Sequence, residues 1–188
     1  MKILFGEKCE MKFLLKSYRT TTEIMNSANN ITNYLKLNTA KPVIRHGKSV
    51  NYVNYKSSED QIQIIKTIIE QYKENEYNTI AIICKNEEEA IFINSELKKE
   101  NIVTNNITDS DTQYNGGICT ITSYLAKGLE FDGVVIADAS DSRYNANKDI
   151  DMKLLYVAMT RPLHELNVLY NNNIVKPLSD LLQGNSLS

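Results

Sequence analysis

The 188-residue sequence is poor in the residues that build metal sites and cross-links, with three cysteines and two histidines. Cys9, Cys84 and Cys119 lie far apart, the last two inside apolar runs, and His46 and His164 stand without a neighbouring ligand pattern. A structural zinc site needs about four ligands at close paired spacings, so a metal-binding role is not expected. An odd cysteine count fits a reducing compartment. No apolar stretch approaches the ~20 residues of a membrane span, and the N-terminus lacks the apolar core of a signal peptide. A cytoplasmic protein with no membrane partner is therefore expected. Positive charge is not in excess either: 21 Lys and Arg face 23 Asp and Glu, for a formal charge of −2. A self-sufficient DNA-binding domain would normally be basic, whereas one half of a binding cleft need not be. Internal repeats, low-complexity tracts and linkers are absent too.

What remains is a chain of ordinary domain length, with 42% apolar residues, enough for a core. Phe13-Leu14-Leu15 reads as a short strand. Thr20 to Glu23 reads as a capping box, and behind it Ile24, Ala28, Ile31 and Leu35 share one helical face to near Leu37. Pro42 to Lys48 is irregular, and Val50 to Tyr55 alternates as a strand does. Ser58 to Gln61 is a second capping box, heading a helix whose stripe is Ile62, Ile65, Ile69 and Tyr72. Thr79 to Cys84 is a continuous apolar run, as a central parallel strand requires. Asn86 caps a helix that opens with three glutamates, where the helix dipole favours them. Short strands are expected at Ile102-Val103, Ile118 to Ile121, Val134 to Ile136 and Leu166 to Tyr170. A helix over about Asp151 to Thr160, capped by Asp149, precedes the last of them, and the tail 177–188 is expected to fray. The alternation predicts one α/β domain with a mainly parallel sheet flanked by helices.

Four segments could carry chemistry. Gly47-Lys48-Ser49 ends like a phosphate-cradling loop, but Pro42 occupies the place of the first glycine and no strand-to-helix context surrounds it. A surface turn is the better reading. Tyr18-Arg19 lies between a strand and a helix N-terminus, where anions are favoured. The pair is either a solvated loop or a stacking face beside a planar phosphate donor. In Lys127-Gly128-Leu129-Glu130, Gly128 suggests a close backbone approach, and Glu130 is either a binding group or a satisfied carboxylate at the sheet rim. Arg161 precedes Pro162, which restricts it away from helical geometry. It would stand at a helix end pointing out of the element, either as a cation at a helix C-terminus or as an arginine offered to a phosphate on another domain.

Taken in order, these segments resemble three motifs of superfamily 1 helicases of the UvrD/Rep type. Ser17-Tyr18-Arg19-Thr20-Thr21-Thr22-Glu23-Ile24 is similar to motif IV (about 14–31), Thr122 to Phe131 to motif V (about 118–136), and Leu155 to Arg161 to motif VI (about 151–161). The match is nearest to the helicase-IV/HelD-like branch. The resemblance implies that residues 1–188 form a single RecA-like, P-loop-NTPase-type domain, the second motor domain of such an enzyme. By motif matching, Tyr18 would stack on adenine, Arg19 and Arg161 would reach the γ-phosphate as catalytic residues, and Glu130 would contact the ribose. Lys127 and Gly128 would shape the loop joining nucleotide to DNA, with Thr122 and Tyr124 facing the strand. The implied partners are single-stranded DNA, as in a duplex with a single-stranded tail, and the N-terminal RecA-like domain of the same parent chain. HelD-like relatives act on RNA polymerase, so the parent could instead remodel or recycle that enzyme. A stand-alone, non-catalytic nucleotide-binding module is the third alternative.

The sequence departs from the pattern at three places. Tyr124 stands where many relatives have histidine, Pro162 where they have alanine, and Ser17 where close relatives carry asparagine. It also lacks a Walker A loop and an Asp-Glu pair after a strand, so ATP and Mg2+ would be held mainly by the N-terminal domain. The chain alone is expected not to hydrolyse ATP. Since it begins almost at motif IV, it reads as a piece of a longer protein.

Overall fold

A strand as apolar as Ile80 to Cys84 is stable only where both of its faces are covered, and the rest of the chain is arranged to do that. A computed structural model describes residues 16–17, 20–42, 45–108 and 114–184. In chain order the elements are β1 (Lys16–Ser17), α1 (Thr22–Tyr34), β2 (Lys41–Pro42), β3 (Asn51–Tyr55) and α2 (Ser58–Glu74). Then come β4 (Thr79–Cys84), α3 (Glu87–Lys99), β5 (Asn105–Ile107), β6 (Gly117–Thr122) and β7 (Phe131–Ile136). The chain closes with α4 (Asp149–Met159), β8 (Pro162–Asn171) and α5 (Lys176–Gly184). Six strands form one sheet in the order β3-β8-β7-β4-β6-β5, every neighbouring pair parallel, while β1 and β2 pair separately. The expectation of a mainly parallel α/β sheet holds, and the main sheet is parallel throughout.

Side chains of β4 alternate between two cores. Ala81 and Ile83 meet residues of α1, α4 and α5, among them Ile24, Ile31, Leu155 and Leu178. Ile80, Ile82 and Cys84 meet α2 and α3 through Ile65, Ile69, Ile93 and Leu97. Helices therefore cover both faces. The second core contains Tyr72, whose hydroxyl donates to the Val134 carbonyl at 2.9 Å and accepts from Asn167 Nδ2 at 2.8 Å. Glycine is required at 133 because a Cβ there would stand 2.5 Å from Cδ2 of that ring.

Several boundaries differ from the expectation, each for a local reason. Thr21, not Thr20, caps α1 by accepting from Ile24 N at 3.4 Å. Ser57, not Ser58, caps α2. A shift of one residue lies below what spacing alone resolves. Asn86 caps α3 as expected, accepting from Glu89 N at 2.9 Å. The fourth helix begins at Asp149 rather than Asp151, with no side-chain cap. Asp151 instead fixes the preceding turn, accepting from Asn145 N at 2.9 Å and Lys85 Nζ at 2.7 Å. The strand expected at Ile102-Val103 falls at Asn105–Ile107, because Val103 is 84% exposed and has no sheet to enter. Residues 177–184 do not fray but form α5, which buries Leu178 completely. The strand expected at Phe13-Leu14-Leu15 and the tail 185–188 lie outside the described residues. Among the described residues, no helix is long and apolar enough to cross a membrane.

Candidate functional site

In a parallel sheet all strands begin at one edge and end at the other, so each candidate residue can be assigned to an edge. Arg161 belongs to the edge where strands begin. The peptide N–H of Phe131, first residue of β7, donates to its carbonyl at 3.2 Å. Its side chain does not point out of the element, as expected from Pro162, but folds back. Nε donates to the Val157 carbonyl at 2.9 Å, Nη1 to the Leu129 carbonyl at 3.3 Å and Nη2 to Thr160 Oγ1 at 3.2 Å. Arg161 is 8% exposed. The negative end of the helix dipole favours a cation there, and a carbonyl oxygen has two lone pairs, so Val157 accepts from the guanidinium as well as from Thr160 N. Pro162 is accommodated as the first residue of β8, where its missing N–H does no harm.

Lys127 to Glu130 leads into the same edge. Ala126 N donates to the Thr122 carbonyl at 2.9 Å, Lys127 N to Tyr124 at 3.3 Å and Leu129 N to Ala126 at 3.1 Å, giving a wound passage down the α1–α4 face. Gly128 has φ +94°, and a Cβ there would meet nothing within 4 Å. Conformation, not the close approach suggested by the sequence, therefore demands glycine. Lys127 and Glu130 are exposed.

The head of α1 reaches this edge through a strap that the sequence reading took for a plain turn. Thr22 N donates to the Arg45 carbonyl at 2.8 Å, and Arg45 Nη2 donates to His164 Nδ1 at 2.7 Å. Because arginine can only donate, that nitrogen carries the lone pair, leaving Nε2–H to face Asp132 Oδ1 at 3.7 Å. A register irregularity between Phe131 and Gly133 sets Leu163 and His164 against Asp132, the kind of bulge that re-aims side chains. Burial works against the charge of Asp132. Three donations at 2.9 Å, from Asn78 N, Thr79 N and Thr79 Oγ1, outweigh it and hold the carboxyl below its ordinary value. His46 Nδ1, at 2.9 Å from the Glu23 carboxylate, is the main cause that pulls its pKa down to about 2, aided by backbone donors that include Gly47 N at 2.8 Å. Lys48 pairs with Glu165 at 2.9 Å. Gly47-Lys48-Ser49 is thus occupied as a structural turn, not open as a phosphate cradle. Tyr18 and Arg19 lie outside the described residues; their neighbours Thr20 and Thr21 are buried at the head of α1.

Thr122 and Tyr124 belong to the opposite edge, where strands end. Thr122 is half-buried, its Oγ1 accepting from Leu125 N at 3.3 Å, and Tyr124 is 74% exposed. Between them Ser123 is anchored by its N–H to the Cys84 carbonyl at 2.9 Å. The candidates therefore divide into two groups joined by one passage: Thr122 and Tyr124 at one edge, Leu129, Glu130 and Arg161 at the other. Burial pushes the thiols of Cys84 and Cys119 well above their usual range, which makes them core residues and not nucleophiles. Arg45, Asp132 and His164 are the edge residues that sequence reasoning missed. Their only signal was the pairing of charges brought together by strand order.

Six parallel strands under helices on both faces, with these two edges joined by one passage, define a RecA-like helicase domain. A family model described as "UvrD-like helicase C-terminal domain" matches residues 13–112, and a second of the same description matches 117–169. The chain belongs to that family. It is similar to the C-terminal domain of a possible DNA helicase from Lactobacillus plantarum WCFS1, with 26% identity and a TM-score of 0.72, over 87% of this chain and 92% of that one. It shares its fold with a DEAD box protein from the hyperthermophile Methanococcus jannaschii, at 11% identity and a TM-score of 0.50, over 85% of this chain and 47% of that one. No curated protein matches the chain in sequence.

Proposed function

We propose that this domain is the second motor half of an ATP-dependent superfamily 1 DNA helicase or translocase. It would complete an ATP site with an N-terminal RecA-like domain and contact single-stranded DNA. The observation that carries the reading is convergence. Arg161, the end of the Lys127–Glu130 passage and the strapped head of α1 come from three distant segments and meet at one sheet edge. In this reading Arg19 and Arg161 face the γ-phosphate, Tyr18 stacks on adenine and Glu130 meets the ribose. Lys127 and Gly128 connect that edge to Thr122 and Tyr124 on the strand. Phosphoryl transfer needs positioned positive charge where negative charge develops, and Arg161 supplies it once it exchanges carbonyl partners for a phosphate, whose charge-assisted bonds are stronger. That exchange couples nucleotide binding to closure of the cleft.

Among the described residues no cluster of His, Cys, Asp or Glu could hold a metal, and Lys48 is engaged by Glu165. In this reading ATP and Mg2+ are held mainly by the N-terminal domain. Nothing in the geometry favours the HelD-like, polymerase-remodelling role or a stand-alone nucleotide module. The 188-residue chain alone is expected to show negligible ATP turnover. In the full-length parent, Arg161→Ala is expected to lower the hydrolysis rate at least ~10²-fold per folded molecule, as removal of an arginine finger does. Substantial turnover by the purified chain, or a near-normal rate in the mutant parent, would overturn the assignment.

A further inference from the structure

Strands at the ends of an open sheet leave a row of peptide groups unpaired, and folded proteins blunt such edges with shortness, proline, bulges or charge. The two end strands of the main sheet differ in this respect. β5 is three residues long, whereas β3 runs over Asn51–Tyr55 with no proline, no charged side chain and an unbroken register on β8. The direction of its peptide groups follows from β8. The Leu169 carbonyl accepts from Ala139 N and Asn171 N donates to Ser140 Oγ, both on the β7 side, so the odd-numbered residues of β8 turn away from β3. Val168 and Tyr170 therefore carry the bonds to β3, and they reach the residues flanking their opposite numbers, Asn51, Val53 and Tyr55. The Tyr55 carbonyl, which accepts from Asn171 Nδ2 at 2.8 Å, agrees. Tyr52 and Asn54 are left with N–H and C=O pointing out of the sheet, without a partner among the described residues. The strand is held firmly from behind, since the Tyr52 hydroxyl shares a hydrogen bond with Ser27 on α1.

Beside this edge lies a groove of about 290 Å³ between β3 and α2. Val53 and Ile64, both half-buried, form its apolar part, and Asn51, Gln63, Thr67 and Gln71 its exposed polar part. Positions 63, 64, 67 and 71 recur at helical spacing and make one stripe down α2. No charged residue lines the groove, and Lys66, Glu70 and Lys73 of the same helix stand off it. In a chain with 23% charged residues, that neutrality selects the occupant. A basic or an acidic segment would gain no ion pair there. A second copy of the same face meets no like charge, and a two-fold axis normal to the sheet supplies the complementary row of peptide groups. With the axis at Val53, Tyr52 of each copy faces Asn54 of the other, and each of these pairs exchanges both N–H···O bonds. Val53 then meets Val53 of the second copy at the close, non-hydrogen-bonded position between them, on the face that carries both α2 helices. Such an isologous contact closes on itself, so it gives a dimer and not a fibre.

We propose that the free edge of β3 and the neutral stripe of α2 form a docking surface for a second copy of this chain, joined edge to edge in a two-fold dimer. The proposal does not rest on the helicase reading. Sedimentation of the 188-residue chain is the first test, at concentrations up to ~1 mM, where a dissociation constant of that order still registers. The mass is expected to rise from 21.4 kDa toward twice that value. Asn54→Pro removes an outward N–H that the monomer does not use, on an edge strand where proline is tolerated. Symmetry removes that bond twice, so association is expected to weaken about tenfold or more. In a thiol–disulfide buffer, Val53→Cys is expected to form a bridge between copies at position 53, located by peptide mapping, because Cα atoms in such a pair stand about 4.5 Å apart. Asn54→Cys, which faces Tyr52 across the axis, is expected to form none. A mass of 21.4 kDa throughout, with no bridge at position 53, would overturn the proposal. So would a dimer that Asn54→Pro leaves unchanged. A monomer whose Tyr52 and Asn54 amides resist hydrogen exchange would overturn it in favour of another segment covering the edge.

Discussion

Replacing Arg161 by alanine should destabilise the isolated domain, whatever the residue does in catalysis, and the size of the loss can be worked from its bonds. The Val157 carbonyl also accepts from Thr160 N at 3.2 Å and Thr160 Oγ1 at 3.1 Å, so it keeps partners in the mutant. The Leu129 carbonyl loses a long 3.3 Å donor. What disappears is chiefly one good charge-assisted bond, from Nε at 2.9 Å, worth roughly 1.5–3 kcal/mol, together with a cation at a helix C-terminus, worth about 0.3–1 kcal/mol. A total near 3 kcal/mol corresponds to a fall in Tm of roughly 6–12 °C for a domain of this size. Arg161→Lys keeps the charge but loses the planar fork, and should fall between. Thermal unfolding followed by circular dichroism on the 188-residue chain decides the matter. A Tm within about 2 °C of the unmodified chain for Arg161→Ala would mean that the inward bonds contribute nothing. The arginine would then be held for a ligand alone. The same measurement fixes how much of any loss of hydrolysis in the parent is loss of folded protein.

Two further outcomes follow from contacts away from Arg161. Gly133→Ala drives a methyl against the buried Tyr72 ring, at 2.5 Å from Cδ2 and Cε2, and should cost about 1–3 kcal/mol as overpacking, seen as a lower urea midpoint; pairing it with Tyr72→Leu should recover part of that loss. Glu23 should contribute to acid stability in a defined window. The His46 hydrogen bond, aided by backbone donors including Gly47 N, lowers its pKa from 4.5 to about 2. A depressed carboxylate stabilises the fold fully above its unfolded value and loses that contribution as pH falls through the folded one. Glu23→Gln should therefore be less stable than the unmodified chain at pH 6, with the difference shrinking below pH 4.5 and nearly gone by pH 2. A constant difference across that range would show that the charge is not what holds the strap.

The sheet was readable because its strongest signals are local. The apolar run of β4, the stripes of α1 and α2 and the three glutamates after Asn86 each specify their own element. The edges were not readable in the same way, because they depend on strand order. Leu129 and Arg161 stand 32 positions apart in the sequence, yet they bond because β7 and β8 are neighbours that begin together. Thr122 and Glu130 are only eight positions apart, yet they sit at opposite edges because β6 and β7 both run parallel to β4, so the chain must return from the end of one to the start of the other. The resemblance implied a joining loop at Lys127 and Gly128, and the fold shows the length it spans, from the edge where β6 ends to the edge where β7 begins. Its lower end is held to Arg161 by the Phe131 N–H and the Leu129 carbonyl, its upper end to β4 by the Ser123 N–H. Within residues 123–130 Gly128 alone has a positive φ. If Arg161 leaves Leu129 to meet a phosphate, the lower anchor loosens while the upper one stays. Gly128, with the widest backbone freedom in the passage, is where the resulting motion must be taken up or passed on toward Thr122.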